Sequence, residues 1–110
     1  SAGSGIEHSE FNPSGTDPVH FLQIWLHPQH TNRTPDYEQR TFAPEAREGC
    51  WQLAVSPNGE GDSVGIDQDA RIFLTRLPAG VELTHGLSEP RFRATDARSR
   101  AVGRHPVASR

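Results

Sequence analysis

The chain has 110 residues, 33% of them hydrophobic, and a formal net charge of −3. This length allows one small domain with a modest core, and no apolar run approaches the roughly 20 residues that span a bilayer. The single cysteine, Cys50, excludes an internal disulfide framework, so we expect a cytoplasmic protein in which Cys50 is a small buried residue.

Strand-sized apolar runs follow one another along the chain, beginning at residues 5–11. On a strand, side chains two residues apart point to the same face, so His8 and Glu10 can reach one metal ion together. The glycines Gly3 and Gly5 suit a crowded backbone approach to this strand. An imidazole and a carboxylate on one face form a candidate metal-ligand pair.

The clearest predicted strand covers residues 19–26, with apolar side chains on both faces, as in the interior of a sandwich or barrel. A hairpin between the first strand and this one would put His20 opposite Glu10, whereas a shift of one residue would put His20 on the other side. We expect His20 to pack or to support a ligand rather than to bind metal. His27 and His30, in the polar loop that follows, are expected to be solvated.

Shorter signals complete the predicted order of elements. Four further strands are predicted, at residues 49–56, 64–68, 71–77 and 81–85. One turn of helix at residues 43–48 precedes them, and the sequence PNGEG at residues 57–61 is a strong turn signal after the first. We expect the second and third of these strands to pair with each other. About six short strands with regular turns indicate an all-β sandwich or barrel.

Charge is unevenly distributed along the chain. Residues 1–90 carry a net charge of −8, and residues 91–110 carry a net charge of +5. An Arg-rich segment can bind phosphate groups, but no aromatic platform or recognition helix accompanies this one, so no nucleic-acid partner is expected. We predict that residues 89–110 form a divergent, disordered tail.

Five stretches of sequence carry a resemblance to a known family. They are SAGSGIEHSEFNPS at 1–14, HFLQIWL at 20–26, PDYEQRTF at 35–42 and, more loosely, LAVSP at 53–57 and DQDARIFL at 67–74. In these stretches the chain resembles the pirin family of cupins, which includes bacterial quercetin 2,3-dioxygenase-like proteins. The resemblance implies an incomplete jelly-roll (cupin) architecture. Residues 1–42 would end a first barrel, residues 43–48 would be a linker, and residues 49–88 would begin a second barrel.

The resemblance also implies a metal site. In pirin-like cupins, three histidines and one glutamate hold the metal in the first barrel. His8 and Glu10 match one of these histidines and the glutamate, and the other two histidines belong to a His-x-His element expected upstream of residue 1. The implied cofactor is one divalent ion, iron first and copper, nickel or zinc as alternatives, bound weakly by the two ligands of this chain.

The activity implied by the resemblance is quercetin 2,3-dioxygenase chemistry, the opening of a flavonol ring with O2. Glu10 is the candidate catalytic base for the flavonol hydroxyl, and a flavonol-like small molecule is the expected partner.

Two alternatives stay open. The chain can be a non-catalytic pirin-like module that binds metal or protein partners in a regulatory role, or an inactive truncated remnant. The low hydrophobic share and the absence of methionine indicate a processed chain or a fragment. The missing His-x-His favours these two alternatives for this polypeptide alone, whereas the dioxygenase best describes what the sequence descends from or is part of. A barrel cut partway also leaves open strand edges through which copies can self-associate.

Overall fold

A computed structural model describes the protein at residues 1–97 and 107–109. In chain order, the elements of this part are a 3-10 helix at Pro44–Arg47 and the strands β1 (Gln52–Ser56), β2 (Val64–Gly65), β3 (Ile72–Leu74), β4 (Thr95–Ala97) and β5 (Val107–Ser109). The prediction of an all-β protein is confirmed. No helix in this part of the chain has the length and hydrophobicity of a membrane span.

Strand β1 is the centre of the larger sheet, whose order is β2-β1-β3. The Cα partners are Val55–Val64 and Ser56–Gly65 in the parallel ladder and Gln52–Leu74, Leu53–Phe73 and Val55–Ile72 in the antiparallel ladder. The register shift in the antiparallel ladder leaves Ala54 as an extra residue, a bulge that bends β1. The predicted pairing of residues 64–68 with 71–77 is therefore wrong, because each segment occupies one edge of β1.

The buried core of the described residues is small and lies on β1 and just before β2. Ala54 is 5% exposed, and Ser56 and Ser63 are almost fully buried. Ser63 donates its hydroxyl proton to the Glu60 carbonyl at 2.6 Å, so Ser56 is the donor in the 2.7 Å contact between the two hydroxyls. Ser56 Oγ also accepts the Glu60 N–H at 2.7 Å. These bonds satisfy both buried hydroxyls and fix the turn predicted from PNGEG.

The region between the helix and β1 agrees only in part with prediction. The predicted turn of helix is confirmed by the 3-10 helix Pro44–Arg47, with proline near its start, where the missing N–H costs nothing. The strand begins later than expected, at Gln52, and Cys50 is exposed rather than buried. The Cys50 thiol donates to the Ala46 carbonyl at 3.1 Å, which holds it against the end of the helix instead of in a core.

Residues 5–11 and 19–26, both predicted strands, belong to no ladder in the described part of the chain. Residues 81–85 form no strand either. These predictions are wrong because a strand needs a hydrogen-bonded neighbour, which this part of the chain does not supply. As a result, six large apolar side chains are 45–85% exposed. They are Val19, Phe21, Leu22, Ile24, Trp25 and Leu26.

The Arg-rich C-terminal segment is described only in part. Strands β4 and β5 pair antiparallel, with Asp96 opposite Ala108. Residues 98–106 and 110 of the predicted tail lie outside the described residues. The disorder predicted for residues 89–110 stays a prediction, as do the predicted domain boundaries.

Candidate functional site

His8 and Glu10, the predicted metal-ligand pair, lie side by side. His8 Nε2 is 3.4 Å from Glu10 Oε1, and the two side chains are 55% and 45% exposed. They stand beside an open depression lined by residues 6–9. The structure thus brings the two side chains together, although residues 5–11 form no ladder. Their role as metal ligands stays a prediction.

The pair offers the right kinds of donor for a divalent transition metal but too few of them. Imidazole nitrogen suits iron, copper, nickel and zinc, and a carboxylate can complete such a site. Among the residues that the structure describes, no group of three or more His, Cys, Asp or Glu could hold a metal ion. These residues therefore do not complete a metal site, and no reaction step is assigned through a metal.

A hairpin between residues 5–11 and 19–26 would place His20 opposite Glu10. That hairpin does not form, because neither segment belongs to a ladder in the described part of the chain. Nothing in the strand pairing therefore aligns His20 with the pair. The side-chain contact that the structure shows for Glu10 is the 3.4 Å approach of His8 Nε2.

The segment that carries the pair is fixed at its start by a close backbone contact. Ser4 N–H donates to the Arg33 carbonyl at 2.7 Å, and the Ser1 amino group and the Asp36 N–H donate to each other's carbonyls at 2.9 Å. Gly3 has a φ of +55°, and a Cβ there would lie 2.1 Å from the Arg33 carbonyl oxygen. The crowded approach predicted for this glycine is confirmed.

A second cluster surrounds Asp67, in the connection between β2 and β3. Its Oδ1 lies 2.8 Å from His30 Nδ1, and its Oδ2 accepts the His30 N–H at 3.1 Å and lies 3.7 Å from Arg33 Nε. The hydrogen bond from the His30 side chain is the main cause that lowers the pKa of Asp67, while partial burial acts the other way. The His30 ring is exposed, as expected, but it also makes this bond to Asp67, which the sequence did not predict. No local pattern could reveal it, because 37 residues separate the partners.

Three rings form a further contact, contributed by β3, by the residue before β1 and by His85. The centroid of His85 lies 5.7 Å from that of Trp51 and 4.9 Å from that of Phe73. Trp51 Nε1–H donates to the Thr84 carbonyl at 3.0 Å. The rings therefore hold residues 84–85 on the sheet, where the sequence had predicted a further strand. Packing of this kind explains the rings without a catalytic role.

Comparison with known proteins gives matches over most of the chain. The family described as the quercetinase C-terminal cupin domain matches residues 53–93. The quercetin 2,3-dioxygenase of Escherichia coli (strain K12) is 40% identical over 91 residues, which are 83% of this chain and 38% of that protein. A pirin-like protein of Caulobacter vibrioides is 33% identical over 92 residues, 83% of this chain and 39% of that protein. No solved structure matches the chain significantly.

These matches cover only part of the relatives. The chain spans about two-fifths of the length of both proteins. The range matched by the domain family contains Asp67, β2, β3 and nearly all of β1, whereas the His8–Glu10 pair lies outside it.

Proposed function

The chain is related to the pirin family of cupins, and from this premise we propose that it is a metal-binding cupin chain of the quercetin 2,3-dioxygenase type. The relationship and the all-β cupin fold class agree with what the sequence predicted. The likeness to the quercetin 2,3-dioxygenase of Escherichia coli supports a flavonol-like small molecule as the substrate. The opening of a flavonol ring with O2 is part of this proposal.

The observation that carries the proposal is the 3.4 Å contact between His8 Nε2 and Glu10 Oε1 on an accessible surface. One imidazole nitrogen and one carboxylate oxygen, already neighbours, can bind a single divalent ion without rearrangement of the backbone. Two protein ligands leave the other coordination positions to water or to further groups, so binding by this chain is weak. Iron is the first candidate, with copper, nickel and zinc as alternatives.

Glu10 is the group to which we assign proton transfer. A hydroxyl placed beside the pair lies within hydrogen-bond reach of the carboxylate, which can accept its proton and leave the oxygen negatively charged. His8, as a neutral imidazole, offers one ring nitrogen to an ion and the other to a hydrogen-bond acceptor that fixes its tautomer. Both roles use side chains that the structure leaves open to solvent.

Titration of the purified chain with divalent metal at neutral pH tests the ligand assignment. Wild type is expected to show weak, saturable binding, and His8→Ala or Glu10→Gln should weaken it by about tenfold, since each removes one of two ligands. His27→Ala is the matched control, because that ring lies on the same half of the chain outside the pair. Equal binding by wild type and His8→Ala would show that His8 is no ligand.

Oxygen-dependent loss of a flavonol then separates an enzyme from a binder. Metal binding at the pair without flavonol loss would favour the non-catalytic module. The small number of metal-ligand donors in the described part of the chain supports that alternative. A chain with no cooperative thermal transition by circular dichroism and no metal binding would be the inactive remnant.

A further inference from the structure

Asp67 is bonded through every polar group it has to residues of the N-terminal third of the chain. Its two carboxylate oxygens contact His30 and Arg33. Its carbonyl accepts the Gln29 N–H at 2.6 Å, and its N–H donates to Ser1 Oγ at 3.1 Å. The Asp67 side chain is only 14% exposed, which limits the competition of water for its carboxylate, while the side chains of His30 and Arg33 are about half exposed.

The partners of Asp67 are in turn bonded to the segment that carries the candidate pair. The Arg33 carbonyl accepts the Ser4 N–H, and Gly3 packs against the same carbonyl. Ser1 is held from two sides, by Asp67 and by the backbone of Asp36. A continuous series of contacts therefore runs from the sheet to a point four residues before His8.

We propose that Asp67 anchors residues 1–36 on the sheet and is thereby a positioning residue for the His8–Glu10 pair. The anchoring itself stands apart from the proposed function, whereas its use in holding a metal-ligand pair rests on it. Asp67 lies within the range matched by the quercetinase C-terminal cupin domain, and its partners lie outside that range. One carboxylate thus couples the domain-like part of the chain to the segment with the candidate ligands.

The charge of Asp67 is the property that suits it to this task. An ionised carboxylate accepts several N–H groups at once, and bonds to a charged acceptor are stronger than neutral ones. The lowered pKa of Asp67 keeps it ionised as the solution becomes acidic. Asn at this position would keep the shape and lose the charge, and Glu would keep the charge and lengthen the side chain by one methylene.

Hydrogen exchange followed by NMR on the whole chain tests the anchoring. Asp67→Asn is expected to speed exchange of the Ser4 and Gln29 amides by about tenfold, because their segment opens more often, while amides of β1 keep their rates. Asp69→Asn is the matched control, because Asp69 lies on the same connection but bonds Arg91 instead. Unchanged rates at Ser4 and Gln29 in Asp67→Asn would overturn the proposal.

The His30 ring gives a signature that general loosening would not produce. The Asp67 carboxylate requires a proton on Nδ1, so imidazole ¹⁵N shifts should report that tautomer in wild type and the Nε2–H tautomer in Asp67→Ala. Asp67→Glu should restore the Nδ1–H form in part. A ring that keeps the same tautomer in all variants would contradict the contact on which the proposal depends.

A further readout connects the anchor to the pair. The ring shifts of His8 should change in Asp67→Asn and stay constant in Asp69→Asn. The affinity for Ni²⁺, measured by titration, should fall a few-fold in Asp67→Asn only.

If wild type binds no Ni²⁺, the proposed function fails, and the His8 shifts still decide the positioning. If Asp67→Asn unfolds β1 as well, His30→Ala removes the ring contact from the other side. Unchanged Ser4 exchange in His30→Ala would then overturn the anchoring.

Discussion

At the scale of single residues, two positions in the N-terminal segment show how much a backbone contact demands. Gly3 combines a positive φ with contact so close that no side chain fits, whereas Gly5, also at positive φ, has nothing within 4 Å of an added Cβ. The sequence predicted crowding for both. A glycine shows only that an unusual backbone conformation is allowed, and it does not show whether a neighbouring group requires it. Only the packing of residues 33–35 distinguishes them.

Gly3→Ala should detach the start of the N-terminal segment. The new Cβ would lie 2.1 Å from the Arg33 carbonyl oxygen, so one of the two backbone segments must move. The φ of +55° adds strain. We expect the free energy of opening of this contact to fall by roughly 2 kcal/mol or more, which would be seen as faster exchange of the Ser4 amide. Gly15→Ala is the control, since an added Cβ there meets nothing within 4 Å. Equal Ser4 exchange in both variants would contradict the close approach.

The pH dependence of the anchor follows from the lowered pKa of Asp67. A carboxyl whose folded pKa lies below its unfolded value contributes stability that is fully present above the unfolded value and is lost as the pH falls through the folded one. We therefore expect the contacts of residues 29–33 with Asp67 to persist at pH 5 and to be lost at a pH below 3.8, the ordinary value for the group. Arg33 keeps its charge throughout, and the His30 ring can still donate from Nδ1 when protonated.

Amide exchange at Gln29 and His30, measured between pH 2 and 6 and corrected for intrinsic rates, checks this dependence. In Asp67→Asn the same profile should be flat, because the titrating group is gone. A wild-type profile with its midpoint above 3.8 would contradict the direction of the pKa shift.

At the scale of elements, the sequence predicted what short-range signals encode and missed what depends on partners. The 3-10 helix and the turn at residues 57–61 were found because proline restricts φ and glycine permits the positive φ that Gly59 and Gly61 adopt. The three strands of the larger sheet were predicted, but the pairing between them was not. Each edge strand has only two or three residues, so its apolar pattern is compatible with either edge of β1 or with another short strand.

The turn after β1 is expected to depend on its two buried hydroxyls. Ser56→Ala leaves the Glu60 N–H without its acceptor and removes the proton donated to Ser63 Oγ. The loss should be about 1–3 kcal/mol in the free energy of unfolding of the sheet, measured by urea or by exchange of the β1 amides. Ser88→Ala removes an exposed hydroxyl and should leave those values unchanged. Similar losses in both variants would show that burial of the Ser56 hydroxyl is not what stabilises the turn.

At the scale of the whole molecule, fold class was predictable because it depends on composition and on the recurrence of short apolar runs. The closeness of His8 and Glu10 was expected from their spacing, although the strand assumed for it does not form, and their role as ligands stays a prediction. The anchor at Asp67 was not, because it joins residues 37 and 66 positions apart, and such contacts leave no periodic signal. The burial of residues 19–26 was predicted wrongly for a related reason. An apolar run indicates that a segment can be buried. Whether it is buried depends on a partner segment that packs against it.

That exposed run leads to the last prediction, that the isolated chain self-associates. Residues 19–26 lack Asp, Glu, Lys and Arg, expose six large apolar side chains and belong to no ladder in the described part of the chain. Such an unpaired apolar segment can pair with the same segment of a second copy, because neither carries an acidic residue, lysine or arginine that would repel the other. Ile24→Glu places a carboxylate in each copy and should shift sedimentation velocity profiles towards monomer. Leu77→Glu, at a similarly exposed site outside the run, should not. A concentration-independent monomer in wild type, or equal effects of the two variants, would show that this segment does not mediate association.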